Sequence, residues 1–392
     1  MKKVAIGQAG GPTSVINATL VGLVKELMHD VQLSFICNGY DGLVHENMRK
    51  GNNPFLNWIF QQENKPGACL GSGRYPMSHE EVVHAVEFLK NEKVNTLIFI
   101  GGNGTMEALH RIDLEAMKQG YELQVIGIPK TVDNDINYTD HAPGFGSAAN
   151  YVAHATRNLS YDLQSMKNFE QVRIIETMGR NAGWLAAASG YFKKSEEEGP
   201  HIIALPERRM RKESLMSAIE SAVSRYGYAV MVVSEGVVWE EGNQIEKDII
   251  HDRIVLGGIS NEIENSITEQ LHVKVRSEIL GMNQRSFSPL VSPVDKEEAY
   301  LAGITGGYWV KQDLSSVMVS IRRLQEERYE IQMKPVSLKD VAHSGERLLP
   351  DHFIDNPKRY YDWLRPFMED SGVNQPILAS CNKLKQTNLN NH

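Results

Sequence analysis

The sequence predicts an α/β protein of two lobes, each built on a mostly parallel sheet. Three observations predict it. Short apolar runs alternate with helix-spaced segments along most of the chain. Several of those runs end in glycine-rich or acidic loops. The length, 392 residues, suits two domains of ordinary size. Strand, turn and helix in repetition give a parallel sheet covered on both faces, with ligands at the carboxyl ends of its strands.

Val4 to Gly7 is a short apolar strand. Gly10-Gly11 turns it into a helix-spaced stretch, Val15 to Met28, with apolar residues at Val15, Leu20, Leu23, Val24 and Leu27. Leu33 to Cys37 reads as a second strand. His79 to Asn91 has helical spacing, and Asn95 to Ile100 is an apolar strand that ends in Gly101-Gly102. Leu123 to Ile128 is a buried strand leading into an acidic loop. Val172 to Glu176 is another, followed by Met178-Gly179-Arg180 and a helix beginning near Asn181. Ile202 to Leu205 and Ala229 to Val233 are strands flanking the helical stretch Lys212 to Tyr226. Tyr300 to Leu324 reads as helical in part. The pattern turns irregular from Pro335 onward, and Ser380 to His392 reads as a polar, frayed end. The lobes are drawn at 1–137 and 138–299. Residues 300–392 form a crossover helix and an extension that packs back in part on the first lobe.

Composition narrows the function. Hydrophobic residues make up 41% and charged residues 23%, normal for a soluble globular chain with a sizeable core. The net charge of -8 argues against nucleic acid or an anionic membrane as partner, but not against a small anionic substrate in a local cationic pocket. Cys37, Cys69 and Cys381 are far apart and form no CxxC pair, so neither a disulfide framework nor a zinc site is expected and a reducing cytoplasm fits. Nothing resembles a signal peptide or a membrane span.

The chemistry concentrates in Pro129-Lys130-Thr131-Val132-Asp133-Asn134-Asp135. If the segment stays extended, Asp133 and Asp135 point to one side, because side chains alternate along a strand. One acid can accept a proton, the other can hold a divalent metal, and Lys130 can meet an anion. A polar βα loop with an Asx turn is the alternative reading. Gly10-Gly11 precedes a helix, where backbone and helix N-terminus both favour anions. Gly101-Gly102-Asn103-Gly104-Thr105 places three glycines, an amide and a hydroxyl after a buried strand.

These motifs, with Met178-Gly179-Arg180-Asn181-Ala182-Gly183 and Leu280-Gly281-Met282-Asn283-Gln284-Arg285 in the same order, resemble the phosphofructokinase family, as do Leu70-Gly71-Ser72-Gly73-Arg74 and Ser234-Glu235-Gly236. The resemblance runs from Val4 to about Gly307 and implies two Rossmann-like lobes with the site in the cleft. It implies that Asp133 is the general base toward the sugar 1-hydroxyl. Asp135, with Asn103, helps hold Mg2+ and the phosphates. Thr131 contacts the transferred phosphoryl group, and Arg74 is a transition-state arginine. Gly10, Gly11, Gly101, Gly102, Asn103, Gly104 and Thr105 line the donor site. Met178, Gly179 and Arg180 close over fructose 6-phosphate, with Glu235 on a sugar hydroxyl and Arg285 on the 6-phosphate. Arg276, by its spacing, is donated by a neighbouring subunit, so a homodimer or homotetramer is expected. Such a set suffices for phosphoryl transfer, which needs positioning and charge neutralisation more than covalent chemistry.

Four positions depart from the family's common pattern. Asn103 stands where ATP-dependent members carry an aspartate. Lys130 stands where they carry a glycine and where pyrophosphate-dependent members carry a lysine, whereas Gly104 is the ATP-like residue. Gln171 replaces a subunit-bridging arginine nine residues before Arg180, with Arg173 two residues further on, and Met282 replaces a frequent histidine. The leading expectation is transfer from pyrophosphate to fructose 6-phosphate, with Lys130 acting on the donor. ATP as donor and a non-catalytic sugar-phosphate sensor are the alternatives.

Overall fold

The computed structural model describes residues 1–244, 246–250, 253–325, 329–368 and 377–378. Its strands are β1 (Lys3–Gln8), β2 (Gln32–Ile36), β3 (Met48–Lys50), β4 (Thr96–Gly101), β5 (Gln124–Pro129), β6 (Val172–Thr177), β7 (Ile202–Ala204) and β8 (Ala229–Ser234). They continue as β9 (Glu246–Ile250), β10 (Arg253–Leu256), β11 (Val275–Ile279), β12 (Val317–Gln325), β13 (Glu330–Ser337) and β14 (Ile377–Leu378). Among the described residues these form an eight-stranded sheet, a four-stranded sheet and one antiparallel hairpin, β9–β10.

The larger sheet runs β14-β13-β12-β5-β4-β1-β2-β3. Its central pairs are parallel; only β2–β3 and β12–β13 are antiparallel. The chain leaves β1 toward β2 on one side and returns at β4 on the other, so the crevice between β1 and β4 is a topological switch point. The smaller sheet, β11-β6-β8-β7, is wholly parallel. The alternating reading of an α/β chain with mostly parallel sheets therefore holds.

The central strands are buried almost completely, which is why they read as continuous apolar runs. One core cluster continues from β1, β4 and β5 through the helix Phe145–Met166 to β6 and β8. The helix Ile16–Leu27 lies against the helix Pro293–Lys311 with little between them: a Cβ on Gly22 would stand 2.1 Å from the Tyr300 carbonyl oxygen, and one on Gly303 2.0 Å from that of Thr19. Only glycine permits that approach.

The structure corrects the reading of the later chain. The helix in Tyr300 to Leu324 ends at Lys311, and the rest becomes β12, a strand of the larger sheet. Beyond Pro335 the chain is not irregular: β13 is followed by the helices Leu338–His343, Asp351–Ile354 and Pro357–Leu364. The helix expected near Asn181 begins at Trp184. Ser380 to His392 lies outside the described residues. No helix among them is long and apolar enough to cross a membrane.

Candidate active site

Three adjacent strand ends of the larger sheet supply one wall of the cleft. β1 leads into Gly10-Gly11, β4 into Gly101–Thr105, and β5 into Lys130–Asp135. Gly10 has φ +79, and its N–H donates to the Gly73 carbonyl at 2.9 Å, while Ser72 Oγ donates to the Gly10 carbonyl at 2.6 Å. The loop that carries Arg74 is thereby stitched to the glycine turn. The turn is narrow because cations fill the space beside it. A Cβ on Gly10 would lie 3.0 Å from Lys130 Nζ, and one on Gly11 would lie 2.9 Å from an Arg285 Nη and 3.9 Å from an Arg74 Nη. Lys130, Arg74 and Arg285, from three separate segments, therefore converge on Gly10-Gly11.

Lys130 is only 3% exposed, and its amide is tied to the Gly101 carbonyl at 2.9 Å. A Cβ on Gly102 would stand 4.0 Å from its Nζ. Burial lowers its pKa to about 8, while Asp135 and Asp133 oppose the shift. A lysine this enclosed lacks the solvation its charge would have in water. It suits a bound anion.

The two acids meet by a route other than the extended one. β5 ends at Pro129, and Asn134 is buried with φ +54, in the left-handed region that asparagine tolerates. Asn134 Oδ1 accepts from the Ala142 N–H at 3.2 Å, and Thr131 Oγ1 accepts from the Asp133 N–H at 3.1 Å. A pinned kink, not strand alternation, brings Asp133 and Asp135 close enough to feel each other's charge. Burial first, then Asp135 and Glu235, hold the Asp133 carboxyl well above the usual range; Arg74 and Lys130 pull it back. A carboxylate raised in this way is matched to accepting a proton near neutral pH.

Asn103 opens the helix Asn103–Lys118, so the N–H groups of Asn103 and Gly104 are in its first turn, where intrahelical acceptors are missing, while the Thr105 N–H donates to the Gly102 carbonyl at 2.9 Å. Its side-chain amide donates to the Asp135 carbonyl at 2.9 Å and to Asp135 Oδ2 at 3.0 Å. That leaves Asn103 Oδ1 and Asp135 Oδ1 buried with no hydrogen-bond partner. Two orphaned acceptor oxygens fit a hard cation that takes its further ligands from elsewhere. Among the described residues no group of three or more His, Cys, Asp or Glu could hold a metal ion.

The smaller sheet supplies the opposite wall. β6 leads into Met178–Arg180, β8 into Glu235, and β11 into the 3-10 turn Gly281–Arg285. Met178 N–H donates to Gln284 Oε1 at 3.0 Å, and Ser234 Oγ donates to the Gly179 carbonyl at 2.5 Å. Gly236 has no alternative: a Cβ there would stand 1.5 Å from the Arg180 carbonyl oxygen. Gln244 also holds that oxygen, at 2.8 Å. The Arg180 backbone is thus fixed from three sides while its Nε remains buried without a partner. Burial raises Glu235 to about 7.

Two expected residues sit elsewhere. Arg276 is exposed on the outer strand β11 and pairs with Glu170 at 3.3 Å. Arg173 does not stand in for the arginine missing at Gln171. It is 3% exposed and held by Glu170 at 2.7 Å, Asp162 at 2.8 Å and Glu278 at 3.6 Å. Gln171 is itself occupied in accepting from the Lys274 N–H at 3.0 Å. Met282 is exposed.

The reading missed the segment Glu346–Arg347. The Arg347 N–H donates to the Asp135 carbonyl at 2.8 Å, Glu346 bridges Ile136, and Glu346 Oε2 accepts from Asn181 at 2.6 Å. No local motif marks these residues; only the return of the chain to the first sheet brings them to the acidic loop.

Comparison with known proteins agrees with this geometry. The family model "Phosphofructokinase" matches residues 3–305. A sulfofructose kinase of Alkalicoccus urumqiensis is 46% identical over 94% of this chain and 96% of its own length. A pyrophosphate–fructose 6-phosphate 1-phosphotransferase of Rhodospirillum rubrum is 32% identical over 93% of this chain and 94% of its own. The crystal structure of a pyrophosphate-dependent phosphofructokinase from Marinobacter aquaeolei superimposes with a TM-score of 0.83 at 29% identity, covering 94% of this chain and 92% of that one. With its glycine turns, paired acids and converging cations in the same cleft, the chain belongs to the phosphofructokinase family and is a phosphotransferase of that family.

Proposed function

We propose that the enzyme transfers a phosphoryl group from pyrophosphate to the 1-hydroxyl of a fructose whose C6 carries a sulfonate, in preference to fructose 6-phosphate. The observation that carries the acceptor is a charge deficit. Gln171, immediately before β6 where the family's pattern has an arginine that bridges to a neighbouring subunit's pocket, supplies no cation, and Arg173 is consumed by three carboxylates. A phosphate ester carries close to two negative charges at neutral pH and a sulfonate one, so a pocket short of one arginine fits the sulfonate better. The 46% identity to a sulfofructose kinase supports the same acceptor. Fructose 6-phosphate remains the second reading, favoured by Arg180 and Arg285 and by the relatives that act on it.

Lys130 supports the donor. Its ammonium, enclosed between Gly10 and Gly102, occupies room that a nucleotide's α-phosphate would need and stabilises inorganic phosphate as it leaves. Gly104, exposed at the start of its helix, favours ATP and is the ground for the alternative donor. The non-catalytic reading loses support because Asp133, Lys130, Arg74 and Arg285 converge on one cleft.

In this mechanism Asp133 takes the proton of the 1-hydroxyl as that oxygen attacks the phosphoryl group. Arg74, Lys130 and Thr131 hold the donor, with the backbone of Gly10, Gly11, Gly101, Gly102, Gly104 and Thr105 around it. Met178, Gly179, Arg180, Glu235 and Arg285 orient the sugar. Mg2+, held by Asp135 and Asn103, would neutralise charge on the donor phosphates. Arg276 of a second subunit completes the anion pocket, so the working unit is a homodimer or homotetramer. Initial rates for both acceptors, each with pyrophosphate and with ATP, test the proposal. Fastest turnover of sulfofructose with pyrophosphate is expected. Turnover of fructose 6-phosphate alone would overturn the acceptor, and turnover with ATP alone the donor.

A further inference from the structure

Residues 346–349 form a strap that ties the two walls of the cleft together. On the side of the larger sheet the ties are made by its main chain. Glu346 pairs with Ile136 in an antiparallel bridge, and the Arg347 N–H donates to the Asp135 carbonyl at 2.8 Å. Just before the strap, the Ser344 and Gly345 carbonyls each accept from the Asn137 side-chain amide at 3.1 Å. The strap is thereby built onto the acidic loop.

On the side of the smaller sheet it grips the loop that follows β6. The Leu349 N–H donates to Glu207 Oε1 at 2.8 Å, and the same oxygen accepts from the Gly183 N–H at 2.9 Å. The Arg347 carbonyl accepts from Trp184 Nε1 at 3.3 Å, and the Arg347 guanidinium lies on the Trp184 ring at 4.4 Å. These contacts hold the root of the loop, at Gly183 and Trp184. The part next to Arg180 is held by one side chain of the strap. Glu346 Oε2 accepts from Asn181 Nδ2 at 2.6 Å. Asn181 Oδ1 in turn accepts from the Gln244 amide at 3.0 Å, which also holds the Arg180 carbonyl. Glu346 and Asn181 are both exposed, so neither serves to fill the core. A hydrogen bond to a carboxylate is roughly twice as strong as a neutral one.

We propose that Glu346 is a positioning residue for phosphoryl transfer: through Asn181 it fixes the Arg180 loop at its working distance from the acidic loop. This role rests on the parts given above to Asp133 and Arg180, and not on which donor or acceptor is used. With the base on one wall and the sugar ligand on the other, the span between the walls sets how the acceptor hydroxyl meets Asp133. A misplacement of about 1 Å can cost about 100-fold in rate. A strut acts by its length. A neighbouring charge acts by its sign, and Glu346 is near enough to Asp135 that its charge, after burial, raises that carboxyl. Two variants separate length from charge.

Each protein is assayed with the donor and acceptor that wild type turns over fastest. Glu346→Ala should lower kcat by about tenfold or more, with the KM of the donor and the melting temperature unchanged. Glu346→Gln keeps the length and an accepting oxygen and should recover most of the rate. Glu346→Asp keeps the charge but is one methylene short, and should not. Asn181→Ala should match Glu346→Ala, and the double variant should be no slower than either single one. A wild-type rate in Glu346→Ala, rescue by Glu346→Asp but not by Glu346→Gln, or losses that multiply in the double variant would each overturn the role. Hydrogen exchange supplies a readout that needs no turnover. The amides of residues 179–184 should exchange faster in Glu346→Ala than in wild type or Glu346→Gln, and equal exchange in all three overturns the strut. Faster exchange in a protein whose wild type turns over no donor would leave the strut standing and overturn the catalytic parts given to Asp133 and Arg180.

Discussion

The side-chain amide of Asn103 donates to Asp135 Oδ2 at 3.0 Å and in doing so turns its own oxygen, with Asp135 Oδ1, into an unpartnered acceptor pair. An aspartate at 103 would bring a second negative charge but would lose that hydrogen bond. The amide orders Asp135 and, on the proposed function, leaves a weaker cation site. We predict that Asn103→Asp lowers the Mg2+ concentration for half-maximal rate by about tenfold and destabilises the metal-free protein. A Mg2+ titration of the rate, beside thermal melts with and without metal, checks both. Chelation of Mg2+ should abolish turnover in both proteins.

In the proposed function Lys130 selects the donor. Lys130→Gly should cut kcat/KM for pyrophosphate by about 100-fold or more, because a buried cation at the leaving phosphate is lost. The space opened between Gly10 and Gly102 should raise kcat/KM for ATP. If both donors fall together, the lysine serves the fold and not the choice of donor.

On the proposed mechanism, Asp133 sets the acid limb of the pH profile. Its pKa is raised by burial, then by Asp135 and Glu235, and it must be ionised to accept the hydroxyl proton. kcat/KM should therefore fall as pH drops through a value above the ordinary carboxylate range. Asp133→Asn should lower kcat by about 100- to 10,000-fold with a smaller change in KM, and abolish that limb. Steady-state kinetics across pH distinguishes this from a binding role.

Glu235 links the cleft to stability. Burial lifts its carboxyl from 4.5, the ordinary value of an exposed side chain as in the unfolded chain, to about 7 in the fold. The stability supplied by the protonated carboxyl is complete below the unfolded value and is lost as pH rises through about 7. Glu235→Gln should stabilise the ligand-free protein at pH 8 by about 1–2 kcal/mol after allowance for solvent screening, with the gain vanishing toward pH 5. Denaturant melts at the two pH values read it directly.

The legible part of this protein is its periodic part. β1, β4, β5, β6 and β8 are buried on both faces, so their apolar runs show in the chain, and the loops at their ends carry the motifs. The later chain hid its order for a physical reason. The helix Pro293–Lys311 is buried along several faces against two glycine contacts and shows no clear apolar stripe, and β12 follows it without a glycine or proline to mark the change. The kink at Asn134 belongs to the alternative reading, a polar loop with an Asx turn: asparagine adopts positive φ more readily than other non-glycine residues, and the Ala142 amide fixes it there. The engagement of Arg173 could not be read either, since Glu170 is local but Asp162 and Glu278 arrive from the helix before it and the strand beside it.

Gln171 tests the charge argument on its own. Gln171→Arg should raise kcat/KM for fructose 6-phosphate relative to sulfofructose by about tenfold, the scale of one charge-assisted hydrogen bond. The same change should leave the donor preference as it was. A shift in donor without a shift in acceptor would place the residue outside the acceptor pocket.

The most direct measurement is a competition. The enzyme is given equimolar sulfofructose and fructose 6-phosphate with pyrophosphate and Mg2+, and the two products are quantified by mass spectrometry before either substrate is depleted. The ratio of products is the ratio of kcat/KM. A large excess of the phosphorylated sulfofructose is the predicted result; an excess of fructose 1,6-bisphosphate would contradict the account.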